Sequence, residues 1–372
     1  MIKRYLDHYN EFLDEIYIHP DSEGSRTAKR FQSLFPDKIR PYENIDLTKN
    51  SGQMTSNEFN ESKKKVLVKK HEGKFFKQCP GGNQNSACCN YFVLNLGSQC
   101  HFNCSYCYLQ SFLNTPYMVV YSNIENALDE LEEIAEKNTH HSLRVGTGEV
   151  IDSLGLDPIT EYSAQIMERI KNFPNLSLEL KTKSDFVDHL IDLPHTSNTI
   201  ISWSINPEHI VTTEEHNTAS AKGRLDSAKA CLTAGYKVGF HIDPVIWHPE
   251  WKENYSELVN QITTSFSPKD VPFVSLGALR FQPEQRHIMK ERFDRGSHVN
   301  SAELFLSKDG KLRYDSDLRS EMFKYIIDAF KENNRAWKVF LCMESPETWL
   351  STYGDFPMKV DGLGDLFAPR GH

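Results

Sequence analysis

The sequence predicts an α/β fold in which parallel strands are joined by helical crossovers, and three observations support this. From residue 91 onward, short β-branched or apolar runs alternate with amphipathic helical patterns. The composition, 39% hydrophobic and 25% charged, is typical of a globular protein. The 372 residues can bury one large core or two ordinary ones. An α/β barrel and a doubly wound sheet both fit, and in either the active site lies at the carboxyl ends of the strands.

The elements are read from the apolar pattern. The predicted strands are Tyr91–Leu96, Leu143–Thr147, Leu176–Lys181, Thr199–Asn206, Lys237–Asp243, Val274–Phe281 and Lys338–Cys342. The predicted helices between them are Asn123–Lys137, Thr160–Asn172, Ser184–Asp192, Ala219–Ala234, Asn254–Phe266 and Asp317–Asn333. Glu303–Tyr314 breaks the alternation, because apolar residues flank Asp309-Gly310 and predict a β-hairpin between the last two parallel strands.

Residues 1–75 are predicted to be an N-terminal extension to a barrel of residues 76–372. Ile2–Ile16 has the pattern of a short amphipathic helix, and Thr48–Ser62 has the composition of a linker. Lys63–Lys70 is basic with alternating Val and Leu, which favours an exposed strand over a binding tail.

Composition also limits the classes of function. No apolar run is long enough to span a bilayer and Met1–Asn10 is too polar for a signal peptide, so we expect a cytoplasmic protein without a membrane partner. Eight cysteines without a secretory signal favour metal ligation over disulfides. The net charge of −9 gives no global attraction to nucleic acid, although a local positive groove can still bind DNA.

Three cysteines carry the strongest chemical signal. Cys100, Cys104 and Cys107 have the spacing C-x3-C-x2-C within eight residues, directly after the first predicted strand of the alternating region. Three thiolates in one loop can ligate three irons of a 4Fe–4S cluster and leave the fourth iron open to a small molecule. Zinc ribbons and fingers usually reach four ligands through a second C-x2-C pair or an H-x3–5-H pair, and neither follows at the usual spacing in the sequence. This spacing, with an aromatic residue before the last cysteine, is the signature of the radical S-adenosylmethionine (SAM) superfamily.

A second motif ends the next predicted strand. Gly146-Thr147-Gly148-Glu149 would let the backbone approach a ligand, and Glu149 can accept a hydrogen bond from the SAM ammonium group. An ordinary βα turn would explain the same residues. A cluster with an open iron can chelate SAM and cleave it to a 5′-deoxyadenosyl radical, so the protein has mainly to position its cofactors.

From about Cys79 to the C-terminus the chain resembles the spore photoproduct lyase family of radical SAM enzymes. The resemblance is carried by Cys104-Ser-Tyr-Cys-Tyr-Leu-Gln110, Ser202-Trp-Ser-Ile-Asn206, Ala234-Gly-Tyr-Lys-Val-Gly-Phe240 and Asp243-Pro-Val-Ile-Trp247. It implies a partial (β/α)6 TIM-like barrel, an enzyme that repairs a pyrimidine photoproduct in DNA, and a low-potential electron donor such as flavodoxin or ferredoxin.

The resemblance also implies site residues by position. Tyr106 and Tyr108 match tyrosines used near SAM and in radical relay. Lys183 and Ser204 match SAM-contacting positions. Arg313 and Tyr314, on hairpin 303–316, resemble a pair that wedges the lesion.

The cysteine that returns a hydrogen atom in this family is absent. The aligned stretch is Gly146–Glu149, so the chain resembles a branch that lacks the donor cysteine and would either release damaged products or use another donor. Cys342, at the end of the last predicted strand, is the candidate, with a buried core residue as the alternative. The roles of Cys79, Cys88 and Cys89 stay open between a metal site and structural or redox thiols.

Three further side chains are candidates for substrate contact. His241 and Asp243 alternate on one strand face and would form an acid–base pair, with a turn role for Asp243 as the alternative. Arg280 would meet an anionic substrate or the SAM carboxylate, or form a buried ion pair. We therefore expect a radical SAM lyase acting on DNA. The alternatives are radical SAM chemistry on a non-DNA substrate, and a nucleic-acid-binding protein with a structural cluster.

Overall fold

The computed structural model describes residues 2–45, 54–81, 87, 89–113, 115–195, 197–293 and 296–367. The α-helices are α1 (Ile2–Phe12), α2 (Arg26–Leu34), α3 (Ser56–Ser62), α4 (Leu109–Phe112), α5 (Ile124–Lys137), α6 (Asp157–Thr160), α7 (Tyr162–Ile170), α8 (Glu208–Glu214), α9 (Ala221–Thr233), α10 (Trp251–Ser265), α11 (Gln285–Arg292), α12 (His298–Ser301), α13 (Ser316–Asn333), α14 (Pro346–Tyr353) and α15 (Gly364–Phe367). Within these described ranges, none of the helices combines the length and the apolar character needed to cross a membrane.

The strands complete the inventory of elements. They are β1 (Glu15–Ile18), β2 (Ile39–Arg40), β3 (Lys65–Lys69), β4 (Phe76–Gln78), β5 (Tyr91–Leu94), β6 (Gly97–Ser98), β7 (Asn103–Cys104), β8 (Met118–Tyr121), β9 (Leu143–Gly146), β10 (Leu176–Thr182), β11 (Thr199–Ser204), β12 (Glu215–His216), β13 (Lys237–Val245), β14 (Val274–Ala278), β15 (Arg280–Phe281), β16 (Phe305–Leu306), β17 (Leu312–Arg313) and β18 (Val339–Leu341). Short 3-10 turns cover Pro20–Ser22, Pro36–Lys38, Tyr42–Asn44 and Pro357–Lys359.

The chain divides into two compact units. The first comprises Met1–Lys77, Phe92–Asn103 and Leu109–Thr199. The second comprises Gln78–Tyr91, Cys104–Tyr108 and Ile200–His372. Residues 1–77 therefore fold with later segments of the chain in one unit, and the division into an extension of residues 1–75 and a barrel of residues 76–372 stays a prediction.

The first unit contains a sheet with the order β2-β1-β3-β8-β6, parallel except at β6. β3 lies in its middle, and Val66, Leu67 and Val68 are all buried. The prediction of an exposed strand at Lys63–Lys70 is therefore wrong. A short parallel strand that is covered on both faces lacks the alternation of polar residues that would reveal its burial, and the flanking lysines suggested exposure instead.

Two other N-terminal predictions are corrected. The predicted helix ends at Phe12, and the chain continues as strand β1, because the β-branched residues of that strand pair in parallel with β3. Part of the predicted linker is helix α3, which begins with a capping box between Thr55 and Glu58. Residues 48–53 of that linker lie outside the described residues.

The first unit also contains four strands in the order β10-β9-β5-β4. β9 and β10 are parallel, as predicted, with Gly146 opposite Glu179. The predicted helix Ser184–Asp192 is wrong, since this segment forms turns. The Thr182 hydroxyl accepts the Ser184 N–H at 2.9 Å, and the Ser184 hydroxyl accepts the Phe186 N–H at 2.9 Å. Such local side-chain bonds offer the backbone an alternative to a helix.

The second unit contains four parallel strands in the order β18-β14-β13-β11. Helices α9, α10 and α13 precede or follow them along the chain, which confirms the predicted alternation. The hairpin is also confirmed, because β16 and β17 are antiparallel between β14 and β18 in the sequence. Gly310 has a φ of +79° in its turn, a conformation that glycine adopts at little cost.

We predict that Leu67→Ala lowers the free energy of unfolding by about 2–5 kcal/mol, because it removes a fully packed side chain from the centre of a sheet. Lys69→Ala, at an exposed position of the same strand, should change it by no more than about 0.5 kcal/mol. Urea unfolding of the two variants measures both values. Equal small effects would contradict the central position of β3.

Candidate active site

A buried lysine holds the backbone around the first cysteine of the motif. In the first unit, Lys63 Nζ donates to the carbonyl oxygens of Cys100 at 2.7 Å and Phe102 at 2.5 Å. Gln99 has a φ of +77°, and its side-chain amide donates to the Ser62 hydroxyl at 3.1 Å. These contacts fix the backbone that carries Cys100.

Cys104 and Cys107 belong to the second unit, where a buried glutamine holds their turn. The Cys107 N–H donates to the Cys104 carbonyl at 3.2 Å. Gln285 is fully buried and donates from Nε2 to the carbonyls of Tyr106 and Cys107, at 3.1 Å each. Neither Lys63 nor Gln285 belongs to a sequence motif, so sequence reasoning missed both.

Two adjacent glutamates, Glu214 and Glu215, anchor the residues between these cysteines. The Glu214 carbonyl accepts the Ser105 N–H at 2.8 Å, and its carboxylate accepts the Ser105 hydroxyl. The Glu215 carboxylate accepts the Tyr106 hydroxyl. Burial, followed by the charge of Glu215, raises the pKa of Tyr106 well above its ordinary value, so this phenol stays protonated at neutral pH.

Arg224 neutralises Glu215 inside the second unit. Both side chains are fully buried, and Arg224 Nη1 lies 2.5 Å from Glu215 Oε2. The same guanidinium donates to the Ser204 carbonyl at 2.9 Å, and Asn206 donates to Glu215 at 3.0 Å. Ser204, a predicted SAM contact, therefore adjoins the network that holds Tyr106, and its hydroxyl donates to the Asp243 carbonyl at 3.3 Å.

A partly buried aspartate shapes the turn after β9 in the first unit. Asp152 accepts the Thr182 hydroxyl at 2.6 Å and the N–H groups of Lys183, Leu154 and Gly155 at 2.8–3.0 Å. Burial raises the pKa of Asp152. The backbone of Lys183, a predicted SAM contact, is thus fixed at the end of β10 by a residue that the sequence did not single out.

Gly148 and Glu149 lie in the same turn region. A Cβ at Gly148 would lie 2.9 Å from the Ser153 hydroxyl and 3.0 Å from the Lys181 carbonyl, so this position has no room for a side chain. Burial raises the pKa of Glu149, while the charges of Lys77 and Lys181 act in the opposite direction. The roles of both residues as SAM contacts stay predictions.

Asp243 and Arg280 form a bidentate ion pair in the second unit, at 2.9 and 3.1 Å. Gly277 leaves room for it, since a Cβ there would lie 2.7 Å from the Asp243 carboxylate. The sequence offered a buried ion pair as one explanation of Arg280, and the structure has an ion pair that is partly buried. His241 is buried, with its ring centroid 5.6 Å from that of Phe273. The acid–base role of His241 and Asp243 stays a prediction.

Cys342 follows β18 close to this ion pair. Burial, and next the charge of Asp243, raise the pKa of its thiol well above the ordinary value. Arg280 acts in the opposite direction but does not compensate. The thiol therefore keeps its proton at neutral pH.

Two further thiols lie near Cys342. Cys89 and Cys79 both add to the rise in the pKa of Cys342. The Ala87 N–H donates to the Glu344 carbonyl, just after β18, at 3.2 Å. Cys88 lies outside the described residues.

Arg313 and Tyr314, which resemble the family's lesion-wedging pair, are both buried in the second unit, and their role at the lesion stays a prediction. Arg313 is buried and pairs with Asp309 at 2.7 Å and Glu344 at 3.3 Å. Tyr314 is 3% exposed, and its hydroxyl accepts the Trp247 N–H at 3.1 Å. The pattern of a hairpin does not reveal which of its faces packs inward, so the sequence could not show this burial.

Lys311 is a half-buried cation in the hairpin turn that sequence reasoning missed. Burial, and then the charges of Arg280 and Arg313, lower the pKa of Lys311. Only its position directly after Asp309-Gly310 could have drawn attention to it. Tyr108, the second predicted relay tyrosine, is 41% exposed.

The spore photoproduct lyase family model matches residues 40–315. The chain belongs to the spore photoproduct lyase family. It is 27% identical to the spore photoproduct lyase of Geobacillus sp. (strain Y412MC61) over 205 residues, which are 54% of this chain and 60% of that protein. It is 28% identical to that of Bacillus subtilis (strain 168) over 181 residues, 48% of this chain and 53% of that protein. The match thus spans little more than half the length of these relatives.

Solved spore photoproduct lyases have the same fold. A mutant enzyme with bound AdoMet and dinucleoside spore photoproduct superposes with a TM-score of 0.76 at 21% identity, covering 88% of this chain and 98% of that one. The enzyme complexed with dinucleoside spore photoproduct gives the same values. This likeness confirms the predicted fold class, a partial TIM-like α/β barrel.

We predict that Arg224→Met lowers the free energy of unfolding by about 3–5 kcal/mol, because it leaves the Glu215 carboxylate buried without its counter-charge. The matched control on the same helix is Lys222→Met, which removes an exposed pair with Asp226 and should cost at most about 0.5 kcal/mol. Urea unfolding measures both. An Arg224→Met protein as stable as the control would show that Glu215 does not need this partner.

Proposed function

We propose that this protein is a radical SAM lyase that repairs a pyrimidine photoproduct in DNA. The observation that carries the proposal is the family match over residues 40–315, which includes the cysteine motif and most of the hairpin. The relatives bear the name spore photoproduct lyase, and two solved structures of spore photoproduct lyase hold the dinucleoside photoproduct itself.

The donor set of the cysteine motif fits a 4Fe–4S cluster. Cys100, Cys104 and Cys107 offer three thiolates within eight residues, and the buried side chains of Lys63 and Gln285 hold the backbone around them. With SAM at its open iron, a reduced cluster supplies a 5′-deoxyadenosyl radical. In this proposal the electron comes from a low-potential donor of the flavodoxin or ferredoxin type.

The proposed SAM contacts have chemistry suited to that role. Gly148 lets its backbone pack closely against Ser153 and Lys181, and Glu149 next to it offers a carboxylate to the ammonium group of SAM. Lys183 and Ser204 are assigned by their positions in the family motifs. Tyr106, kept protonated by burial and Glu215, can donate a hydrogen bond or a hydrogen atom.

Cys342 is the proposed hydrogen-atom donor in place of the cysteine that is missing at Gly146. A thiol donates a hydrogen atom only while its S–H bond is intact, and the raised pKa of Cys342 preserves that bond. In the step, the S–H bond breaks, a C–H bond forms on the substrate radical, and a thiyl radical stays on Cys342. A hydrogen atom from the hydroxyl of Tyr106 or Tyr108 then restores the thiol and leaves a tyrosyl radical.

A different, non-DNA substrate is the second candidate. It is favoured by Gly146 at the donor position and by the net charge of −9. The ion pairs of Arg280 and Arg313 point the same way, because a guanidinium already paired with carboxylates has less to offer a phosphate.

Anaerobic turnover of the reduced protein with 5′-deuterated SAM and ultraviolet-irradiated DNA tests the proposal. We expect 5′-deoxyadenosine together with repaired dinucleotide. Cys104→Ala should abolish the iron–sulfur absorption and both products, because it removes a cluster ligand, whereas Cys231→Ala, in the core of α9, should abolish neither. Cleavage of SAM without any change in the DNA would favour the second candidate. A cluster that never cleaves SAM would refute radical SAM chemistry altogether.

The donor assignment predicts that Cys342→Ala preserves SAM cleavage but diverts the substrate radical to adducts or scrambled label. Gly146→Cys in that background should partly restore the normal product, because it returns a thiol to the family's donor position. Liquid chromatography with mass spectrometry of the digested DNA measures both outcomes, with Cys231→Ala as the control. A normal product distribution from Cys342→Ala would leave Cys342 as a core residue.

A further inference from the structure

Three histidines form a cluster in the second unit, and none of them belongs to the proposed active site. His209 lies on α8, His248 follows β13, and His298 begins α12. Their ring centroids are 5.0, 5.4 and 5.4 Å apart in the three pairs. Imidazoles bound through Nε2 to one tetrahedral zinc ion have centroids about 5 Å apart. The three rings therefore have the spacing of a metal centre.

Two of the ligand nitrogens are already close together. Nε2 of His209 and Nε2 of His298 are 2.8 Å apart, so one ring donates a hydrogen bond to the other. Two nitrogens on one tetrahedral zinc ion would be about 3.3 Å apart, which needs only a small separation of the rings. His209 is exposed and His298 partly exposed, so an ion can reach the pair from solvent.

The buried His248 is prepared to act as a third ligand. Its Nδ1 is 3.0 Å from the Ile246 carbonyl, which can only accept, so Nδ1 carries the proton and Nε2 carries the lone pair. Metal-binding histidines are oriented by this kind of contact to their other ring nitrogen. Burial also lowers the pKa of His248 and of His298, which favours the neutral rings that metals require.

The side-chain amide of Asn254 is hydrogen-bonded to Nε2 of His248, the nitrogen through which this ring would bind a metal ion. Its Nδ2 lies 2.9 Å from His248 Nε2. In the described part of the chain, no group of three or more histidine, cysteine or acidic side chains is already arranged to hold one metal ion. For the histidine cluster, rotation of the Asn254 side chain would expose the third nitrogen.

We propose that His209, His248 and His298 bind a divalent transition-metal ion of the zinc class, with water as the fourth ligand. Imidazole nitrogen suits zinc, copper and nickel, whereas magnesium and calcium prefer oxygen. The backbone N–H of His298 donates to the Glu214 carboxylate at 2.6 Å, and Glu214 also binds Ser105 of the cysteine motif. An ion bound by His298 would therefore lie one residue contact away from the cysteine motif, with Glu214 between them.

The test titrates the cluster-loaded full-length protein with Zn²⁺ under anaerobic conditions against a chromophoric chelator. The thiols are the same in all variants, so the comparison isolates the histidines. His209→Gln and His298→Gln should each weaken binding at least tenfold, while Asn254→Ala should tighten it several-fold because it removes the competing amide. His287→Ala, an exposed histidine outside the cluster, should bind like the wild type.

Thermal unfolding gives a second readout. Zn²⁺ should raise the Tm of the wild type and of His287→Ala but not of His209→Gln, because only a folded state that binds the ion is stabilised. Mg²⁺ should raise neither. Equal zinc affinity in the wild type and in a His209→Gln/His298→Gln double variant would overturn the proposal and leave the contact as a hydrogen bond. Weaker binding by Asn254→Ala would overturn the role of His248.

Discussion

The buried ion pair between Glu215 and Arg224 is the constraint on which the cysteine motif of the second unit depends. A carboxylate is buried only where a counter-charge and hydrogen bonds compensate for lost water, and Arg224 with Asn206 supplies both. Glu215 can then accept the Tyr106 hydroxyl between two cysteines of the motif. The guanidinium also holds the Ser204 carbonyl, so one pair of charges positions a cysteine turn and a strand end together.

The charged side chains around Cys342 are likewise paired with one another. Asp243 pairs with Arg280, and Glu344 accepts from both Arg313 and Arg319. Guanidinium groups suit such pairs because they form bidentate bonds and stay charged when buried. The arginines that the sequence offers for a phosphate are therefore already paired with carboxylates of the protein. Lys311 is a further cation in the hairpin turn, and burial together with the charges of Arg280 and Arg313 lowers its pKa.

The fold was largely predictable, because parallel strands and their helices leave a strong periodic pattern. The prediction was wrong where short-range chemistry or burial overrode that pattern. Thr182 and Ser184 bind the backbone through their hydroxyls and replace a helix by turns, and β3 hides a buried strand between lysines. The cysteine spacing identified the motif, but the sequence did not reveal the side chains that hold it in place. Lys63 and Gln285 lie far from the motif in sequence, and only the fold brings their polar atoms to its backbone. Arg224 is equally distant and acts through Glu215, which accepts the Tyr106 hydroxyl.

The proposed role of Cys342 as a hydrogen-atom donor depends on one physical requirement. A hydrogen-atom donor must sit where its thiol cannot ionise, since a thiolate has no hydrogen to give. The position of Cys342 meets this condition through burial, the carboxylate of Asp243 and the neighbouring cysteines, all of which raise its pKa. Arg280 acts in the opposite direction, but burial and the charge of Asp243 outweigh it. Asp243 therefore has a chemical role as well as a structural one, because the carboxylate that pairs with Arg280 also disfavours the thiolate form of Cys342.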